Sequence, residues 1–284
     1  MDKLKVVVCG TIKNGAKTIE KNINSLLELQ KYCLDFKMVL YENDSTDGTT
    51  EILNKIKSDT IHIISEQNIN VLGGRTVILS WGRNKLLEYI NTKFSDYDYV
   101  IMSDLDDVLK GFKGKMVQKE FEKDLSKWDV LTANCIGPYY DIYALRCKKN
   151  KIWELDLQYD CWDMINHTTK LGFNRGLSTL IHVGNFQKVI PIKEQLISVD
   201  SAFGGMGIYK MAIIKNCYYN GMMEECSCKE YLNQEYHFIM GKCSPTTCEH
   251  VSFHKQIREK NNGRIFICPS LLVYAEPQHI VKKN

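Results

Sequence analysis

Short apolar runs alternate with amphipathic stretches through the first 110 residues, and that alternation restricts the fold more than any other feature of the chain. Lys5–Cys9 is a β-branched run ending at Gly10, the pattern of a buried parallel strand. From Thr18 to Tyr32, the residues Ile19, Ile23, Leu26, Leu27 and Leu29 keep helical spacing. Phe36–Tyr41 reads as a second strand, Asp47–Ile56 as a helix with acidic and Thr residues near its start, and Thr60–Ser65 as a third strand. Ser80–Asn91 then reads as a helix and Tyr97–Met102 as a fourth strand. Strands and helices alternating at this spacing predict an α/β sheet, parallel in this half, with right-handed crossovers. Ligands on such sheets bind beyond the carboxyl ends of the strands. The polar clusters Thr11–Gly15, Glu42–Gly48 and Asp104–Asp107 fall at those ends and should converge on one crevice.

The rest of the chain is less regular. Asp129–Asn134 predicts a strand, followed by the aromatic segment Gly137–Arg146, and Ser198–Lys210 carries a glycine cluster. Arg264–Leu272 predicts a late strand with Pro269 nearer its end than its middle. Periodicity assigns no topology to residues 147–195. Without an internal repeat or a low-complexity linker, one domain over residues 1–284 is expected, with halves 1–110 and 111–284 and a cysteine-rich excursion at 217–248.

A net charge of +3 gives no argument for nucleic acid as a partner. The longest apolar runs fall well short of the roughly 20 residues a membrane span requires. The start, Met-Asp-Lys-Leu-Lys, enters a strand without a secretory pattern, so a cytoplasmic location is expected. Of the 11 cysteines, Cys9, Cys33 and Cys268 lie in apolar segments and read as small hydrophobes. Cys226, Cys228, Cys243 and Cys248 with His237 offer soft ligands for zinc, but their spacing departs from paired C-x2-C knuckles.

Chemistry concentrates after the fourth predicted strand, in Asp104-Leu105-Asp106-Asp107. Two carboxylates one residue apart at a strand end can turn into the same loop space and offer hard oxygens to Mg2+ or Mn2+, which take one or two carboxylates plus substrate phosphates. The plainer reading is an acidic, solvated loop. Leu40–Thr49 reads Leu-Tyr-Glu-Asn-Asp-Ser-Thr-Asp-Gly-Thr after the second strand. Ser45 or Asp47 can cap the next helix, whereas Glu42 at the strand tip is freer to face a ligand.

These two segments together resemble the GT-A nucleotide-sugar glycosyltransferases. In that group the second strand ends in an acid-rich turn closing with Ser-Thr-Asp-Gly-Thr, and a D-x-D motif follows a central strand. Residues 45–49 match the turn literally, while Glu42-Asn43 stand where an Asp pair is frequent. The resemblance implies a GT-A-like (Rossmann-like) fold, a mixed, mostly parallel sheet flanked by helices, with residues 1–110 binding the donor and 111–284 the acceptor. Gly73-Gly74-Arg75 and Gly82-Arg83-Asn84 resemble the Arg-Asn helix start that lies against the donor in this fold, and Arg suits a diphosphate. The expected donor set is thus Thr11, Glu42, Asp44, Arg75, Arg83, Asn84 and Asp104. Asp104 and Asp106 are the expected metal ligands.

Pro138–Arg146, Ser201–Lys210 and Cys248–His254 look like segments of glycosyltransferases from large DNA viruses and microbes. By that resemblance Gly204 and Gly205 shape the acceptor side together with Tyr140 and Asp141. Glu249 is the expected base, and His250 or His254 completes the metal site. Tyr140, Trp153 and Trp162 are candidates to stack on sugar faces. The implied activity is metal-dependent transfer of a sugar from a nucleoside diphosphate sugar to a hydroxyl on a glycan or glycoconjugate. The rivals are a sugar nucleotidyltransferase, for which Thr11–Gly15 is a poor phosphate loop, and a catalytically silent carbohydrate-binding module.

Overall fold

The computed structural model describes residues 4–222 and 246–282. In chain order the first half runs β1 (Lys5–Ile12), α1 (Ile19–Leu27), β2 (Asp35–Asn43), α2 (Thr49–Ile56), β3 (Ile61–Glu66), α3 (Arg75–Lys93) and β4 (Tyr99–Asp104). The second half adds α4 (Gly114–Phe121), β5 (Val130–Ile136), α5 (Cys161–Lys170), α6 (Arg175–His182), β6 (Ile197–Val199), β7 (Met206–Lys210), α7 (Glu249–Asn261) and β8 (Ile265–Tyr274). Every strand predicted in the first half is present, with its ends moved by a few residues.

One eight-stranded sheet takes strands from both halves, in the order β3-β2-β1-β4-β7-β5-β8-β6. β1, β2, β3 and β4 pair in parallel, as do β5 and β8, while β7 runs antiparallel between β4 and β5, and β6 antiparallel to β8. The sheet is therefore mixed and mostly parallel, with helices on its faces. Val6, Val7, Val8 and Cys9 are fully buried, as are Met38, Val39 and Leu40, because helices cover both faces of these central strands.

Register places the future site. Thr11 pairs with Tyr41 on one side and Asp104 on the other, and Ile12 pairs with Glu42, so three parallel strands end at one level. β7 enters beside β4 with Ser103 opposite Met206. The turn before β7 therefore lies against Asp104, whose backbone N–H donates to the Gly205 carbonyl at 2.9 Å. Gly204 and Gly205 have φ of +64° and +92°, and a Cβ on Gly204 would sit 2.5 Å from the Ala133 carbonyl oxygen. Only glycine fits that turn.

Three expectations change. α3 begins at Arg75 rather than Ser80, because its buried face includes Thr76, Ser80 and Arg83 and so carries no clean apolar stripe. Pro269 lies inside β8, not at its end. The β5–β8 register jumps from Ala133–Cys268 to Asn134–Leu272, and Pro269 falls in the bulge, where its missing N–H costs no ladder bond. Residues 147–195, left without topology, hold the packed helices α5 and α6, capped by Asp160 and by Asn174.

Candidate active site

Asp104 closes β4, and Asp106 opens the turn that follows, where its Oδ1 accepts the Val108 N–H at 3.2 Å. Asn22 of α1 steadies the loop from behind by donating to the carbonyls of Leu105 (2.9 Å) and Asp106 (2.7 Å). Asp104 accepts from Arg83 Nη2 at 2.9 Å. Burial raises the Asp104 carboxyl to about 6; Arg83 offsets part of that and neighbouring Asp106 adds to it.

Arg83 reaches up from α3 and is 2% exposed. Its Nη1 meets Glu249 Oε1 while its Nη2 holds Asp104, so one guanidinium spans two acids from opposite ends of the chain. The rings of Phe203 and Tyr219 lie 5.3 and 5.7 Å from its Cζ. Glu249 and His250 are the first residues of α7, and the His250 ring stacks on Phe203 with centroids 3.7 Å apart. Among the described residues neither ring nitrogen of His250 has a hydrogen-bond partner, and burial, with Arg83 nearby, holds its pKa well below the ordinary histidine range. It is a neutral imidazole.

Two cavities meet at this point. The smaller, about 490 Å3, is lined by Thr11, Ile12, Lys13, Asn14, Asn43, Arg75, Ile78, Leu79 and Asp104 to Asp106. The larger, about 580 Å3, is lined on one side by Arg75, Arg83, Asp104 and Asp106 and on the other by Tyr140, Asp141, Tyr143, Trp162, Phe203, Glu249, His250 and His279. Arg75, Leu79, Asp104 and Asp106 line both. The two acids thus form a shared wall, in a crevice that also contains Asn43 from the second-strand turn.

A family model, glycosyl transferase family 2, matches the strands and loops that build this wall. Residues 7–131 carry the match. This family 2 region is a little under half of the chain and contains β1 to β4, the Asp104–Asp107 loop and Arg83. No curated protein matches the chain in sequence. Among solved structures, the chain is similar to TarS 1-349 of S. aureus at 15% identity and a TM-score of 0.44, covering 97% of this chain and 62% of that one. It is similar to the mannosyltransferase PcManGT of Pyrobaculum calidifontis, solved with GDP-Man and Mn2+, at 12% identity and a TM-score of 0.45, covering 99% and 58%. A 4-diphosphocytidyl-2C-methyl-D-erythritol synthase of Anaerococcus prevotii matches at 11% identity and a TM-score of 0.43, covering 100% and 94%. The chain therefore spans about three-fifths of the length of each of the first two. The fold is a mixed, mostly parallel sheet with helices on its faces.

Within that fold several expected donor residues bond to other protein groups. Glu42 is fully buried, its Oε1 accepting the Ser45 N–H at 2.9 Å and its Oε2 the Ser65 hydroxyl, so it ties the turn together and lines neither cavity. Asp44 accepts the backbone N–H groups of Asn68, Ile69 and Asn70 and anchors that loop. Asn84 clamps the backbone of Tyr219 through both ends of its amide. Arg83 is bound by its two acids. Thr11, Arg75 and Asp104 do line the smaller cavity, and Asn43, which sequence reasoning passed over in favour of Glu42, lines it too.

On the other side, Tyr140 and Asp141 line the larger cavity, while Gly204 and Gly205 stand behind its wall. Gly204 donates its N–H to Asp141 Oδ2 at 2.9 Å. His254 stands apart from both cavities: it is fully buried, and its Nδ1 and Nε2 are bonded to Ser201 Oγ and Tyr209 Oη at 3.0 Å each. His250 does line the larger one, yet among the described residues no group of three His, Cys, Asp or Glu is arranged to hold a metal. Trp153 is core, 1% exposed, with Nε1 donating to the Phe186 carbonyl. His279 is a cavity residue that no motif announced; it stacks on Tyr140 at 5.2 Å. Of the proposed zinc residues, Cys226, Cys228, His237 and Cys243 lie outside the described residues, and Cys248 is free and buried, its thiol pushed up to about 12 by burial.

Proposed function

We propose that this protein transfers a glycosyl group from a nucleoside diphosphate sugar to a hydroxyl of a carbohydrate or glycoconjugate acceptor. The observation that carries the reading is the wall shared by the two cavities, on which Asp104, Asp106 and Arg75 all stand. The smaller cavity takes the nucleotide, the diphosphate lies at the wall, and the larger cavity takes the acceptor, with Trp162 and Tyr143 positioned for a sugar face.

Two neighbouring carboxylates on a cavity wall fit Mn2+ or Mg2+, because such ions complete their shell with substrate phosphates and water rather than an all-protein cage. Asp104 and Asp106 would hold the ion, which when bound neutralises charge developing on the departing diphosphate. Arg75, which no hydrogen bond or ion pair ties to another described residue, adds a guanidinium at the same wall. As the bond to the diphosphate breaks, the acceptor oxygen bonds to the anomeric carbon, and its proton goes to Glu249. Arg83 engages Glu249 through Oε1, and no hydrogen bond from a described residue engages Oε2, which is the oxygen we assign as base.

We read the chain as a single domain, since one sheet takes strands from both sides of residue 110. The eight described cysteines are all free, which suits a cytoplasmic setting. No helix among the described residues is long and apolar enough to cross a membrane. The test is thermal stabilisation by a panel of nucleotide sugars with and without Mn2+, followed by product analysis. Metal-dependent release of nucleoside diphosphate is expected, with Asp106→Ala abolishing the metal-linked stabilisation and lowering the unliganded melt only by the loss of the bond to the Val108 N–H. Release of pyrophosphate would assign nucleotidyl transfer instead, and an unaltered metal response in Asp106→Ala would remove that residue from the site.

A further inference from the structure

Residues 164–193 contain no aspartate or glutamate, while Lys170, Arg175, Lys188 and Lys193 fall within them. The same stretch holds five of the thirteen large apolar side chains exposed on the described surface. Leu171, Phe173 and Leu177 are 42%, 44% and 41% exposed, and Val189 and Ile192 are 63% and 57% exposed. An apolar, acid-free stretch making up about a tenth of a chain whose overall charge is near balance fits a partner that is both apolar and anionic.

The first three of these side chains sit on a turn whose backbone is fixed. Gly172 adopts φ +96° after α5, its N–H donating to the Thr169 carbonyl, and the Phe173 N–H donates to Thr168 at 3.2 Å. Asn174 then caps α6 by accepting the Leu177 N–H at 2.8 Å. Such a closed helix end ordinarily tucks the side chain at the Phe173 position against its own helix; here it stays exposed. Beyond the turn, α6 contributes Thr179 to the larger cavity, and Val183, the residue that follows α6, lines it too.

We propose that the α5–α6 turn seats the protein on a membrane surface containing anionic phospholipids. Leu171, Phe173 and Leu177 enter the boundary between headgroups and acyl chains, and the basic, acid-free segment meets the headgroup charge. A stable protein interface takes about 20–30 residues a side, whereas three apolar side chains on one turn suffice to enter the boundary of a bilayer. The contact holds the mouth of the larger cavity near the bilayer, and it operates whatever group the enzyme transfers.

Sedimentation of the full chain with vesicles tests this. Vesicles of phosphatidylcholine mixed with phosphatidylglycerol should carry the protein down, vesicles of phosphatidylcholine alone should carry much less, and added salt should release it. Replacing Phe173 and Leu177 together by Ser should lower partitioning by about tenfold or more, and Arg175→Gln by about fivefold. Phe173→Trp should show blue-shifted emission on the mixed vesicles, a readout that does not depend on the double variant folding. Failure of the parent chain to sediment, equal sedimentation of the folded double variant, or unshifted emission from the tryptophan variant would each overturn the proposal. So would binding to duplex DNA as tight as to vesicles, since the charge would then mark a nucleic-acid contact.

Discussion

At the scale of single residues, Arg83 and His254 show how buried polar groups near this site divide their work. Arg83 neutralises Glu249, which is 4% exposed, and also holds Asp104. Arg83→Met should leave a carboxylate buried without a counter-charge, costing roughly 3–5 kcal/mol and abolishing transfer. Arg83→Lys keeps the charge but loses the planar fork, so it should retain more stability than Arg83→Met while activity stays low. Thermal melts beside donor turnover separate the two, and a Met variant melting like the parent would contradict the paired geometry. His254 belongs to the core instead. Burial presses its pKa from 6.5 to about 3, with Arg258 contributing, so between those values the unfolded chain binds a proton that the folded chain does not. Its stabilising contribution is complete above about 6.5 and is lost as pH falls below it, at up to roughly 1.4 kcal/mol per pH unit. His254→Gln, which can still meet the Ser201 and Tyr209 hydroxyls, should flatten the acid side of a plot of Tm against pH. An equally steep acid side would show that other groups dominate.

At the scale of elements, the turn between Phe203 and Met206 decides whether Asp104 is held in place. Gly204→Ala puts a methyl group against the Ala133 carbonyl at a positive φ, which should cost roughly 1–3 kcal/mol. It should also displace the Gly205 carbonyl that receives the Asp104 N–H, so metal-linked stabilisation should fall more than the melt alone accounts for; a proportional loss would count against that coupling. This turn was legible in the sequence only as a glycine cluster. The α/β half could be read further, because β1 and β4 are continuous apolar runs, β2 is one apart from Lys37, and each ends in polar residues at one level of the sheet. α3 was read short, since a helix that buries Thr76, Ser80 and Arg83 toward a cavity has lost the apolar spacing that announces a helix. The distinction between Glu42 and Asn43 was closed to sequence for a different reason. Neighbouring residues on a strand point to opposite faces, and Ser45 and Ser65 take up the Glu42 carboxylate while Asn43 lines the cavity. α6 is eight residues long and follows α5 after a short turn, too brief for periodicity to stand out.

At the scale of the whole molecule, three strand tips and the start of α3 produce one wall with a cavity on either side, and its two arginines have opposite roles. Arg83 is buried and fully engaged by protein carboxylates, so its charge is already used before any ligand arrives. Arg75 is exposed, begins α3 at the positive end of the helix dipole, and lines both cavities. Removing a guanidinium that bonds a phosphate costs about 1.5–3 kcal/mol, so Arg75→Ala should weaken nucleoside diphosphate binding by about ten- to a hundredfold. Because no hydrogen bond or ion pair ties Arg75 to a described residue, and its charge acts on Asp104 only at longer range, the melting temperature of the variant without ligand should stay close to the parent value, the reverse of the expectation for Arg83→Met. Calorimetric titration with nucleoside diphosphate in Mn2+ measures the first quantity and a melt the second. Arg75 also borders the larger cavity, so the loss should extend to acceptor binding only when the diphosphate is present, since the free wall offers a neutral hydroxyl acceptor no charge partner. Acceptor affinity falling equally with and without diphosphate would place Arg75 against the acceptor itself and would reverse the assignment of the two cavities.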